Sequence, residues 1–105
     1  MAKQGIILVY ITAKDKKEAR KAATHLLKRK LIACANIFPI ESVYWWKGEI
    51  KDAKEAVLIA KATSKHYAAI KKEVKKIHSY TIPCIMEIGA EANDEYAKWI
   101  MGELR

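Results

Sequence analysis

From Gly5 to Thr12 the chain reads Gly-Ile-Ile-Leu-Val-Tyr-Ile-Thr, an apolar run rich in β-branched residues with no charge in it. A strand with one wet face would alternate, so this pattern predicts a strand covered on both faces. At Asp15 the period changes. Ala19, Ala22, Ala23, Leu26 and Leu27 recur at i, i+3, i+4, i+7 and i+8, one stripe of a helix running to about Lys30. Lys14, Lys17, Lys21 and Lys28 fall largely on the other side, and the three alanines predict a helix seated close against a sheet.

Leu31 to about Thr63 has no helical period. Cys34, Asn36, Phe38, Ile40, Ser42, Tyr44 and Trp46 share one face of an extended chain, and Ala33, Ala35, Ile37, Pro39, Glu41, Val43 and Trp45 share the other. Pro39 cannot donate to a ladder, which predicts an edge strand with a bulge or bend there. Gly48 and the polar stretch Lys51-Asp52-Ala53-Lys54 mark the hairpin region, and Ala56–Ala62 is the returning strand. Strands this long overhang a domain of 105 residues, and an overhanging apolar edge is a pairing site.

Thr63-Ser64 supplies an N-cap for a second helix with Tyr67, Ile70, Val74 and Ile77 as its stripe, ending near His78-Ser79. Tyr80-Thr81-Ile82-Pro83 is a turn, Cys84–Ile88 a last strand, and Asn93 or Asp94 caps a short helix presenting Tyr96, Trp99, Ile100 and Leu104. The order β-α-β-β-α-β-α, without repeats or linkers, predicts one domain over residues 1–105. Its fold class is α+β: a ferredoxin-like βαββαβ sandwich with a long β-hairpin and a short C-terminal helix.

Composition adds limits. The chain is 51% apolar and 30% charged, enough of the former for a packed core. No apolar run approaches the roughly 18 to 20 residues of a membrane span. The start, Met1-Ala2-Lys3-Gln4-Gly5, lacks the features of a signal peptide, so a cytoplasmic protein without a membrane partner is expected. The net charge of +8 is concentrated in two segments, Lys14–Lys30 and Lys65–Lys76. It comes from 17 lysines and only 3 arginines, whereas bidentate reading of phosphates and guanines favours arginine. Solvated helix faces follow, with no specific nucleic-acid partner and only weak, salt-sensitive binding to nucleic acid.

Few residues offer chemistry. The four glycines are scattered, no serine stands in a nucleophile elbow, and no carboxylate pair is evident, so no enzyme is expected. Cys34 and Cys84 form neither a C-x-x-C pair nor a zinc-finger pattern and read as buried thiols of a reduced compartment. His25 and His66 lie in basic helices and are expected at the surface. His78 stands at a helix end beside a Tyr-x-x-Pro turn, six residues from Cys84. An imidazole and a soft thiolate suit Cu(I) or Zn(II), while the plainer role is a helix cap and a core-filling thiol. Tyr44-Trp45-Trp46 could stack bases, but the third strand, Ala56–Ala62, has no aromatic residue to complete an RNA-binding sheet. These aromatics are therefore read as the core of an interface.

Leu31-Ile-Ala-Cys-Ala-Asn-Ile-Phe-Pro-Ile40 followed by Ser42-Val-Tyr-Trp-Trp-Lys-Gly-Glu-Ile50 resembles the signature of the CutA family, the divalent cation tolerance proteins. Tyr10–Ala13, His78–Pro83 and Asn93–Ile100 match further pieces in the same order, so the resemblance covers nearly the whole chain. It implies a ferredoxin-like subunit in a tight homotrimer, with Pro39, Tyr44, Trp45 and Trp46 at the trimer interface. It also implies a non-enzymatic role in tolerance to copper and other divalent cations. The alternative role is that of a trimer like the PII signalling proteins, binding a small ligand or partner at intersubunit clefts. No cofactor is required; copper or another divalent cation is the candidate ligand. Relatives proposed to bind copper carry a cysteine in the first strand and a histidine pair after the second helix. Here those positions are Ile11 and Ile77-His78, so His78 alone carries over. Cys84 replaces the usual acid after the turn proline and is the candidate second ligand, with Cys34 a less favoured third. Thr81 stands where many members have Glu.

Overall fold

A computed structural model describes residues 4–105 of the chain. The first three residues, on which the signal-peptide expectation partly rests, lie outside them. The elements are β1 (Ile6–Ala13), α1 (Lys16–Lys28), β2 (Cys34–Trp46), β3 (Glu49–Thr63), α2 (Tyr67–Ile77), β4 (Ile85–Ala90) and α3 (Asp94–Glu103). The strands form one sheet in the order β2-β3-β1-β4 with every neighbouring pair antiparallel. This is the expected α+β sandwich, with α1 and α2 on one face. No helix among the described residues is long and apolar enough to cross a membrane.

Side-chain alternation builds the core. Ile7, Val9, Ile11 and Ala13 of β1 and Ala56, Leu58, Ala60 and Ala62 of β3 point to the helices, where Ala19, Ala22, Ala23, Leu26, Ile70 and Val74 meet them. Alanines on both sides of this interface let α1 approach the sheet closely. The α1 stripe is narrower than its spacing suggests: Leu26 is fully buried, whereas Leu27 is 40% exposed. The opposite face is open. Of the helices, α3 alone packs on it, through Ala97 and Ile100 against Ile6, and Phe38, Met86 and Ile88 stay partly uncovered. Trp99 and Tyr96 of the expected α3 stripe are not buried.

The hairpin departs from expectation in two ways. Its turn is only Lys47-Gly48, both with positive φ (51° and 79°), the conformation a two-residue connection needs to match strand twist. Lys51–Lys54 therefore belongs to β3, not to the loop. The β2–β3 register then runs unbroken from Trp46↔Glu49 to Cys34↔Lys61, so Pro39 (opposite Ala56) makes no bulge. β2 is the edge strand, as expected, and at an edge a missing N–H need not break the ladder. Since β1 pairs with β3 only as far as Ala56, the part of the hairpin beyond it is a two-stranded overhang.

Two histidines expected at the surface are not there. His66 is buried, its Nδ1 2.6 Å from the Thr63 hydroxyl and its Nε2 donating to the Arg105 carbonyl at 3.0 Å. That engagement takes Thr63 away from capping, and the chain enters α2 through a 3-10 turn at Ser64–His66 with no side-chain cap. The last strand likewise starts at Ile85 and runs to Ala90.

His25 is half-buried and ties α1 to α2. Glu73, itself buried, accepts from His25 Nε2 at 2.9 Å and Lys76 Nζ at 3.0 Å, and forms an ion pair with Arg29, whose Nε is 3.1 Å from its carboxylate. The His25 hydrogen bond above all, then that of Lys76, holds its carboxyl at about 2, against an ordinary 4.5. A carboxyl depressed in the folded state stabilises fully above its unfolded value and loses that contribution on protonation. Stability is therefore expected to fall as pH drops from about 4.5 towards 2, and Glu73→Gln to flatten that stretch of the curve in acid denaturation followed by circular dichroism.

Candidate functional site

At the base of the overhang the open face of the sheet meets the segment joining α2 to β4. Between them lies a cleft of about 540 Å³, walled by Tyr44 and Trp46 from β2, Glu55 from β3, Thr12 from β1, and Tyr80, Ile82 and Cys84 from the connecting segment. The strand period explains the first set: Ser42, Tyr44 and Trp46 lie on the same face as Thr12 and Glu55.

Thr12 is the hub. His78, the residue that ends α2, donates from Nε2 to the Thr12 carbonyl at 2.7 Å, while its Nδ1 accepts the Tyr80 N–H at 3.0 Å. The Tyr80 hydroxyl donates to Glu55, and the next turn of chain is held where the Ser79 N–H donates to Glu18 at 3.1 Å. Burial first, then the Glu55 carboxylate, pushes the Tyr80 phenol well above its ordinary range, so it remains a donor across the physiological scale. Cys84 is half-buried beside Thr12. Burial and the Glu55 charge push its thiol up, and hydrogen bonding from Thr12 offsets this only in part. A thiol so placed is protonated at neutral pH and is a poor nucleophile. The cleft offers aromatic walls, several hydroxyls and one carboxylate: equipment for binding.

Residues 7–103 match the profile of the CutA1 divalent ion tolerance protein family. The chain belongs to that family. It is 47% identical over 93 residues to the divalent-cation tolerance protein CutA of Archaeoglobus fulgidus, spanning 88% of this chain and 91% of that one. Against the Pyrococcus horikoshii CutA the identity is 37% over 101 residues, spanning 95% and 99%. The solved structure described as the periplasmic divalent cation tolerance protein CutA of A. fulgidus superposes with a TM-score of 0.93 at 44% identity, covering 95% of this chain and 99% of the other. The CutA family names denote a tolerance protein rather than an enzyme.

A CutA protein's link to divalent ions makes the donor set of this chain worth testing. The structure does bring His78 and Cys84 near one another: His78 bonds the Thr12 carbonyl, and Cys84 lines the cleft beside Thr12. It also spends both imidazole nitrogens: one carries the proton given to Thr12, the other accepts from Tyr80, and no lone pair is left for an ion. Cys34 is elsewhere. It lies opposite Lys61, in the row of Leu8, and four residues of strand alone put that row roughly 13 Å from Thr12. Among the described residues no three or more His, Cys, Asp or Glu side chains are grouped to hold a metal. The donors of one chain do not fit a resident ion. Glu55 was absent from the candidates read in the sequence; its one signal there is its position in the strand alternation, opposite Ile40.

Proposed function

We propose that this chain works as a non-enzymatic homotrimer whose part in divalent-cation tolerance is played by binding a small ligand or partner in the Thr12–Tyr80 cleft, in the manner of a sensor or scaffold. The observation that carries this reading is an open cleft with no histidine among its lining residues: His78 stands behind it, tied by two hydrogen bonds to Thr12 and Tyr80, which do line it. The homotrimer is supported by the apolar overhang and by the open side of the sheet, where the described residues leave Phe38, Met86 and Ile88 only partly covered.

Calorimetric titration of the reduced protein with Zn(II), Cu(II) and Cu(I) is the test. The expected result is no saturable one-per-chain uptake that depends on His78 or Cys84, the same for wild type, His78→Ala and Cys84→Ser. Tight binding lost in His78→Ala would overturn the reading and make the ion the ligand. In a host that lacks its own CutA protein, Ser42→Trp, which fills the cleft, is expected to abolish copper tolerance while the assembled mass is unchanged. Full tolerance in that variant would also overturn it.

A further inference from the structure

The charge of this chain is segregated by layer. The helix segments, residues 14–30 and 65–76, carry 13 lysines and arginines against three acids, while the remainder carries seven against nine. The three acids of the helix layer are already occupied. Asp15 accepts the Glu18 N–H at 2.8 Å, and Glu18 accepts the backbone N–H groups of Lys14 at 2.9 Å and Ser79 at 3.1 Å. Glu73 is buried between the helices. Among the described residues, only Arg29 and Lys76 of the layer's 13 cations stand within 4.0 Å of a carboxylate.

Five of the others form one surface. Glu18 meets Ser79 and His25 meets Glu73, so α1 and α2 lie side by side and antiparallel. With Ala19, Ala22, Ala23 and Leu26 buried, 100° per residue puts Lys17, Lys21 and Lys28 on the outer side of α1. With Ile70, Glu73 and Val74 buried, Lys72 and Lys75 are on the outer side of α2. All five are exposed. Packed helices sit about 8–10 Å apart, so the ammonium groups stand in two adjacent rows, and among the described residues none of them pairs with a carboxylate.

We propose that this helix layer is a docking surface for the phosphate backbone of duplex nucleic acid, bound without regard to sequence. A duplex carries about one negative charge per 1.7 Å of its axis, a charge density that complements two rows of lysine. Lysine is a point charge that contacts phosphate without the planar fork that reads guanine, and the outer positions hold no Asn or Gln to read adenine. An anionic membrane fits less well. Basic helices that lie on lipid set large apolar side chains beside their lysines, and Leu27 is the one exposed large apolar residue on these two helices. The surface is on the side of the sheet away from the cleft, and the proposal does not depend on what the cleft binds.

Fluorescence anisotropy with an arbitrary 25-base-pair DNA, between about 50 and 200 mM salt, tests it on the intact protein. About five phosphate contacts would lower the binding constant by roughly 10²–10³ across that range, at a slope of about 0.9 per contact. Lys17→Gln/Lys21→Gln/Lys72→Gln is expected to reduce the slope by about 2.7 and to weaken binding at low salt. Lys51→Gln/Lys54→Gln/Lys98→Gln, which removes the same charge from the hairpin and α3, is expected to leave the slope as it is. Equal loss in both variants would make net charge the cause and overturn the proposal. No binding at 50 mM salt, preference among DNA sequences, or tighter binding to phosphatidylserine vesicles than to the duplex would do the same.

Discussion

Trp45→Glu is expected to turn the proposed homotrimer, a particle of about 35.7 kDa or three times the 11.9 kDa chain, into single chains at micromolar concentration. Within one chain Trp45 is 72% exposed, and so are its cross-strand partner Ile50 (64%) and its same-face neighbour Val43 (73%). An apolar patch on a two-stranded ribbon gains nothing from its own core, so a charge there costs the subunit little. At an interface the same change is severe. A buried interfacial tryptophan is worth 2 kcal/mol or more, and a threefold assembly repeats the loss three times, on the order of 6 kcal/mol or 10⁴ in dissociation. Light scattering of wild type, Trp45→Phe and Trp45→Glu reads the outcome, with the first two expected to stay assembled. A wild-type protein that is monomeric at these concentrations would contradict the homotrimer and the covering of the hairpin with it.

Leu26→Ala is expected to lose about 2–5 kcal/mol, and Leu27→Ala about 0.5 kcal/mol or less, although the two leucines are adjacent. Leu26 is fully enclosed where α1 lies on β1 and β3, and its alanine neighbours cannot swing in to fill the space it leaves. Leu27 is 40% exposed. Against the 5–15 kcal/mol that holds a typical domain together, the first loss is a large fraction and the second is not. Denaturant unfolding at one fixed protein concentration separates them, since assembly makes apparent stability depend on concentration. Similar losses in the two variants would mean that α1 is rotated relative to the sheet.

The contrast between these leucines also shows where the sequence is a sufficient guide. Spacing alone places both in the α1 stripe; deciding between them requires the rotation of the helix on the sheet, which is a tertiary fact. β1, α1 and α2 are legible because each is buried along a face with a clear period. The start of β3 is not, because Glu49–Lys54 overhangs the fold and is solvated on both faces, so polar residues there resemble a loop. His66 was hidden for a similar reason. Its local context is a basic helix, while the groups that bury it come from Thr63 and the distant Arg105. In the cleft, His78 and Cys84 are neighbours across a turn, and their proximity can be read from the sequence. The hydrogen bonds that close His78 involve the Thr12 carbonyl, 66 residues away, and backbone acceptors leave no mark on composition.

The unbroken register set by Lys47-Gly48 makes the hairpin a two-sided code. Even-numbered residues of β2, Ser42, Tyr44 and Trp46, face the cleft, and odd-numbered ones, Val43 and Trp45, face away from it. A one-residue slip at the turn would exchange the two sets at every position along the strand. The proposed ligand wall and the proposed subunit contact are thus each locked to one parity, and neither can drift by one residue without overwriting the other. Only insertions or deletions in pairs keep every remaining side chain of the ribbon on its own face.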